Sequence, residues 1–164
     1  MADFPKLIPA FTVQVAIAPP TSISPRLTFV PFTTGGSIIS HPSYPIQLDA
    51  AIEHGADYIT LAPDGAHVRL DVQSAARDKV TGGVVRFSYT GKIGVTGPAG
   101  KVLKGEAGAA TTGFGEAFSV VEFQAGGSKE LESLEQKVYV GSGRFILEEG
   151  KPVIVEYKVS EVSA

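Results

Sequence analysis

The chain has 164 residues, 43% hydrophobic and 19% charged, with a formal net charge of −3. That composition predicts one globular domain, 1–164, and excludes a disordered chain. The weak negative charge gives no electrostatic case for nucleic acid or an anionic membrane, and no stretch approaches the ~18 apolar residues of a membrane span.

There are no cysteines, which removes disulfides, thiolate metal sites and a cysteine nucleophile. The N-terminal MADFPKLIPAF lacks a basic stretch followed by a long apolar core, so no signal peptide is read and the expected location is cytoplasmic. The nineteen glycines and eleven prolines are scattered and punctuate short segments. Period-two alternation outweighs helical spacing, which predicts an all-β domain.

In chain order, Phe11–Ile17 places Phe11, Val13, Val15 and Ile17 on one face of a half-buried strand. Pro19-Pro20 ends it. Arg26–Phe32 is a second strand, with Pro31 at an edge or bulge. Thr33–Pro45 is a glycine- and proline-rich crossing that includes a short strand, Ser37–Ser40. Tyr44–Gly55 reads equally as a turn of helix or a broken strand. Asp57–Leu61 is a strand, and Pro63-Asp64-Gly65 is a turn signal. His67–Gln73 pairs back, Ser74–Gly83 connects, and Val84–Thr90 returns. Lys92–Gly100 reads as loose, and Gly105–Gly115 as a rim segment or flap. Glu116–Phe123 alternates again, Lys129–Gln136 is a turn or two of helix, and Lys137–Leu147 and Pro152–Val162 are joined by a turn at Glu149-Gly150. About eight strands with short connections predict an antiparallel barrel or a sandwich. An eight-stranded barrel has an interior either filled by side chains or able to hold one small ligand.

An ordered set of short motifs adds to this: Gly55-Ala56-Asp57-Tyr58, Asp64-Gly65, Arg69-Leu70-Asp71-Val72, Tyr89-Thr90-Gly91, Tyr139-Val140-Gly141-Ser142-Gly143-Arg144-Phe145 and Val155-Glu156-Tyr157-Lys158-Val159. It resembles the small fungal and bacterial proteins grouped as domain of unknown function 3237. The resemblance covers roughly Ile38 to the C-terminus and can extend to the N-terminal strands. It implies a calycin-like closed antiparallel β-barrel, in the company of lipocalin and allene-oxide-cyclase barrels, and no settled reaction. This chain has Tyr58 where other members carry Trp, and Gln73 where an Arg often follows the Asp.

The densest set of ionisable groups lies in His67–Gly91. On His67–Gln73 the ordinary pattern turns Val68, Leu70 and Val72 inward. The alternative turns Arg69 and Asp71 into the lumen, where they would have to pair and a carboxylate with a raised pKa would serve as acid or base. On the returning arm, Arg86 faces one way and Tyr89 the other. Tyr89 and Tyr157 on apolar faces are structural rings or hydroxyl donors to a ligand. Asp57 is a turn cap or a site residue, and Arg144 an exposed ion-pair partner or a holder of a carboxylate or phenolate. Gly141 and Gly143, beside Tyr139 and Phe145, leave a groove or mark a bend. The candidate catalytic set is therefore Asp71, Tyr89 and Arg69; the candidate ligand-binding set is Asp57, Tyr58, Arg86, Tyr139, Arg144 and Tyr157. The histidines have no metal-site spacing, and there is no nucleotide loop or serine-nucleophile elbow, so no metal and no cofactor are expected. These features predict a cofactor-free isomerase, cyclase or lyase acting on a small apolar or aromatic metabolite. A carrier with the same cavity and a partner-binding barrel with a filled core are the alternatives. Apolar residues Val138, Val140, Phe145 and Ile146 on both faces of one strand suggest a homodimer.

Overall fold

The computed structural model describes residues 3–164. Ten strands form one antiparallel sheet: β1 Lys6–Ile17, β2 Thr21–Ser24, β3 Leu27–Pro31, β4 Ser37–Ser40, β5 Asp49–Leu61, β6 His67–Asp78, β7 Val84–Gly94, β8 Ala117–Ala125, β9 Tyr139–Ile146 and β10 Val153–Ser163. The order β4-β1-β10-β9-β8-β7-β6-β5 closes on itself, because β5 pairs with β4 on one edge and with β6 on the other. The result is the expected closed eight-position barrel, with no free edge around the hoop. Strand β3 continues the position of β4. It pairs with the second half of β5, and the bridge Ile17–Phe32 ties its end to β1. Strand β2 pairs with β3 and is exposed throughout.

Several strands are longer than their sequence signals. Ser74–Asp78, expected as a connection, continues β6, because its inward positions are the small residues Ser74 and Ala76, too slight to announce alternation. Tyr44–Gly55 resolves as the broken-strand alternative: a turn, then the start of β5. The stretch 92–100, expected to be loose, holds the end of β7 and the start of a helix, α1, Pro98–Leu103, which proline opens at its first turn. Gly100 lets that turn sit on the sheet, since a Cβ there would lie 1.9 Å from the Val95 carbonyl oxygen. A second helical turn, α2 Lys129–Glu132, runs into a 3₁₀ turn, Ser133–Gln136. It is capped by the Ser128 hydroxyl, which accepts from Leu131 N–H at 3.1 Å. The rim reading of Gly105–Gly115 holds: Thr112 N–H donates to the Phe145 carbonyl at 2.9 Å, and its hydroxyl accepts from Phe145 N–H at 3.0 Å. Thr111–Thr112 thus cover the end of β9 that β8 does not reach.

One end of the lumen is solid. Phe11 meets Tyr44, Phe123 and Tyr139 with ring centroids 5.2, 5.3 and 5.6 Å apart. Phe123 meets Phe87 at 5.4 Å, Phe87 meets Tyr89 at 5.4 Å, and Tyr89 meets Tyr157 at 5.1 Å. The tilted and edge-on geometries are those that ring quadrupoles favour. Polar tips at this end are satisfied by a chain in which Tyr44 donates to Glu161, which also accepts from Lys137 at 2.9 Å, while the Tyr44 and Tyr139 hydroxyls share a 2.9 Å hydrogen bond. Burial pushes the Tyr139 phenol up to about 12, so it stays protonated.

Phe145 belongs to this interior, being 1% exposed. It therefore does not add to an apolar exterior on β9; Val138, just before that strand, remains exposed. No helix among the described residues is long and apolar enough to cross a membrane.

Truncating Phe11 removes the ring that three others meet, so Phe11→Ala is expected to cost about 4 kcal/mol. Val138→Ala, at an exposed site, is expected to stay within about 0.5 kcal/mol. Urea unfolding of the two variants measures both; similar midpoints would contradict the solid-end assignment.

Candidate functional site

The other half of the lumen is hollow. A cavity of about 580 Å³ opens at this end, lined by apolar side chains including Val30, Phe32, Ile59, Leu70, Ile93, Phe145 and Val155. Three connections form its mouth: Ile17–Pro20 after β1, Val102–Gly105 at the end of α1, and Lys151–Val153 before β10. Its size is that of a site for one small organic molecule.

Besides Lys104 and Lys151 on the mouth segments, three side chains with polar groups line this apolar space: Asp57, Tyr89 and Tyr157. A bulge in β5 puts Asp57 there. The pairing of β5 with β6 shifts between Ile52 and His54, so the inward face runs through Ala50 and Ile52 and then Gly55, Asp57 and Ile59. The extra residue reverses the parity of everything after it. Gly55, next to the bulge, faces the Phe32 ring so closely that a Cβ would lie 2.5 Å from it.

Beyond the bulge the ladder opens. The pairs Asp57–Val72 and Thr60–Arg69 are formed, but the residues between them are unpaired. The freed Asp71 N–H donates instead to Asp57 Oδ1 at 3.0 Å. The other carboxyl oxygen, Oδ2, makes no hydrogen bond among the described residues. Asp57 is 8% exposed. Burial raises its pKa; the bond from Asp71 N–H lowers it and the nearby Asp71 charge raises it. The outcome is a carboxyl pushed from 3.8 to about 7.

The tyrosines are set by glycines. Tyr157 pairs across the ladder with Gly143. A Cβ at Gly143 would lie 2.6 Å from the Tyr157 ring, and one at Gly141 would lie 3.2 Å from it. The missing side chains that stood out in the sequence are thus the bed on which Tyr157 lies. The Tyr157 hydroxyl is buried and has no hydrogen-bond partner among the described residues. Burial, with the Asp57 charge adding to it and the neighbouring Tyr89 hydroxyl only partly opposing it, holds the Tyr157 phenol well above its ordinary value, and burial with the Tyr157 and Asp57 charges and the neighbouring Tyr157 hydroxyl does the same for Tyr89. Both are therefore donors at neutral pH.

The other candidate residues lie elsewhere. Arg69 and Asp71 face outward, because β6 alternates without interruption and turns Val68, Leu70 and Val72 inward. This corrects the alternative that placed them in the lumen; the ordinary pattern is the one found. Arg86 is also exterior, donating to Gln73 and to Gln124, the latter at 2.7 Å. Tyr58 is 49% exposed and stacks on Phe29 at 6.2 Å. Tyr139 belongs to the solid end. Arg144 is exterior too, and bonds the Glu156 carboxylate at 2.9 Å beneath the ring of Phe114. Gln14 holds the other Glu156 oxygen at 2.6 Å. Burial raises Glu156, and these hydrogen bonds together more than reverse it, so its carboxyl sits below the usual range. Of the nine candidates, then, the fold gathers Asp57, Tyr89 and Tyr157. Sequence reasoning missed the three mouth segments. It also missed the bulge, whose signal is the consecutive polar pair Glu53-His54 followed by a strand glycine.

The family model described as "Protein of unknown function (DUF3237)" matches residues 5–162. The chain belongs to that family. A crystal structure of a conserved protein of unknown function from Rhodopseudomonas palustris is similar to it, with a TM-score of 0.75 and 20% sequence identity. The match covers 99% of this chain and 100% of that one; at this identity it shows a shared fold and nothing of the chemistry. No curated protein matches the chain.

The Asp57 shift fixes a pH dependence. The folded carboxyl holds its proton more tightly than an unfolded one, so its contribution to stability is complete below the unfolded value of 3.8 and is lost as pH rises to about 7. The loss is on the order of 4 kcal/mol. Asp57→Asn keeps an acceptor for Asp71 N–H and removes the titration. It is expected to be more stable than wild type above pH ~8 and to have the flatter profile of melting temperature against pH. Parallel profiles for the two proteins would show that Asp57 is not so shifted.

Proposed function

We propose that the protein is a cofactor-independent acid–base enzyme of the isomerase, cyclase or lyase type, acting on a small apolar or aromatic metabolite in the barrel lumen. The observation that carries this reading is a single carboxyl, pushed up to about 7, in an apolar cavity beside two tyrosines. A group with a pKa near the working pH is present in both forms and transfers protons efficiently in either direction. Supporting this, the hydrogen bond found on the Asp57 carboxyl is to Oδ1, and the buried Tyr157 hydroxyl has no partner among the described residues.

The chemistry these groups suit is proton transfer next to a carbonyl. Asp57 Oδ2 takes the proton from carbon. The C–H electron pair moves into the enolate, and negative charge grows on the carbonyl oxygen. Tyr157 and Tyr89, held protonated, donate to that oxygen as the charge develops. Asp57 then returns the proton at another atom, for isomerisation, or the enolate expels or attacks a group, for lyase or cyclase chemistry.

The predominantly apolar lining also favours a second reading, a carrier with the same cavity and no turnover. The test is a thermal-shift screen of enolisable aromatic and polyketide-like carbonyl compounds, followed by turnover assays on those that bind. Asp57→Asn is expected to lower turnover by 10²- to 10⁴-fold while leaving affinity within about tenfold. Asp71→Asn, altering an exterior side chain, is expected to retain most turnover. Binding without turnover in wild type would leave the carrier, and undiminished turnover in Asp57→Asn would remove Asp57 from the reaction.

A further inference from the structure

The charged groups that border the cavity are unevenly placed. Asp57 lies in its depth; Lys104 and Lys151 lie at its mouth, on two of the three segments that frame the opening. Between them the lining is almost wholly apolar. Acidic neighbours exist at the mouth but stand outside the cavity: Glu106 is 3.9 Å from Lys104, and Glu148 contacts Lys151.

Neither lysine is used up by these contacts. An ammonium has three donors. Lys104 spends one on a long bond to the Val95 carbonyl, at 3.4 Å, and its distance to Glu106 is beyond hydrogen-bond range. Lys151 spends one on Glu148. Each keeps donors for a group at the opening, while its stem covers apolar wall. A cationic ligand would meet two like charges there, and a neutral one would leave both donors to water.

We infer that the lumen takes an amphipathic carboxylic acid: an apolar or aromatic body inside the barrel beside Asp57, an oxygen reaching Tyr89 and Tyr157, and a carboxylate at the mouth between Lys104 and Lys151. This rests on the lumenal site proposed above and names the class of molecule it accepts. The carboxylate stays in partial contact with water, so it does not bear the cost of full burial, and the lysines set the direction in which the molecule enters.

The test uses two probes with the same body and different charge, 1-naphthaleneacetic acid and 1-naphthaleneacetamide, titrated calorimetrically into the full chain at neutral pH and low salt. Wild type is expected to bind the acid about tenfold more tightly than the amide. Lys104→Met with Lys151→Met is expected to abolish that preference while leaving amide affinity unchanged. Equal affinities in wild type, or a preference that survives the double substitution, would overturn the assignment of the carboxylate and leave the lumenal site standing. No binding of either probe, or binding unaffected when Val153→Trp fills the mouth, would overturn the lumenal site itself.

Discussion

Aromatic rings in contact from Tyr44 through Phe11, Tyr139, Phe123 and Phe87 to Tyr89 and Tyr157 set where this barrel is solid and where it is empty. Eight strand positions enclose a space that ordinary side chains nearly fill. Concentrating the large rings toward one end supplies the apolar burial that a domain of this size needs. It leaves the opposite end with the apolar cavity of about 580 Å³. Tyr89 and Tyr157 belong to both regions: their rings are packed with the column, and their hydroxyls meet the cavity.

The same division explains a tension between stability and the proposed chemistry. A carboxyl in an apolar cavity opposes folding whenever it is charged. The barrel tolerates it because one oxygen is bonded to Asp71 N–H and because the solid end contributes enough packing to carry it. Filling the hollow end or neutralising Asp57 would make a sturdier protein with less to offer a ligand.

How much of this was legible in the sequence depended on whether alternation ran unbroken. Along β6 and β7 it did, and spacing alone put Val68, Leu70 and Val72 on one face and Arg69 and Asp71 on the other, while which face was inward stayed open until the burial of β6 decided it. The Gly141–Gly143 pair was visible as a gap, though the gap's occupant, Tyr157, comes from another strand and is set by register, which spacing does not give. Asp57 was the difficult residue. Counting in twos from Ile52 puts Tyr58 inside and Asp57 outside, and the bulge at Glu53-His54 inverts the count. Asp71 drew attention because it stands in the richest ionisable stretch, yet an uninterrupted strand keeps it outside. The mouth segments carry no periodic signal, since Pro20, Gly105 and Pro152 serve to turn the chain. The site is thus built from a fold that could be read and one irregularity that could not.

The opening in the ladder between β5 and β6 carries a final consequence. The amide of Asp71 is bonded to a titrating side chain where its neighbours are bonded to main chain. Protonating Asp57, or engaging its free oxygen with a guest, changes the strength of that bond and so the shielding and solvent exchange of one amide on a strand whose own side chain at that position faces water. The interior state of the barrel is therefore transmitted through its wall to a single spectroscopic reporter, legible by amide resonance without any substrate in hand.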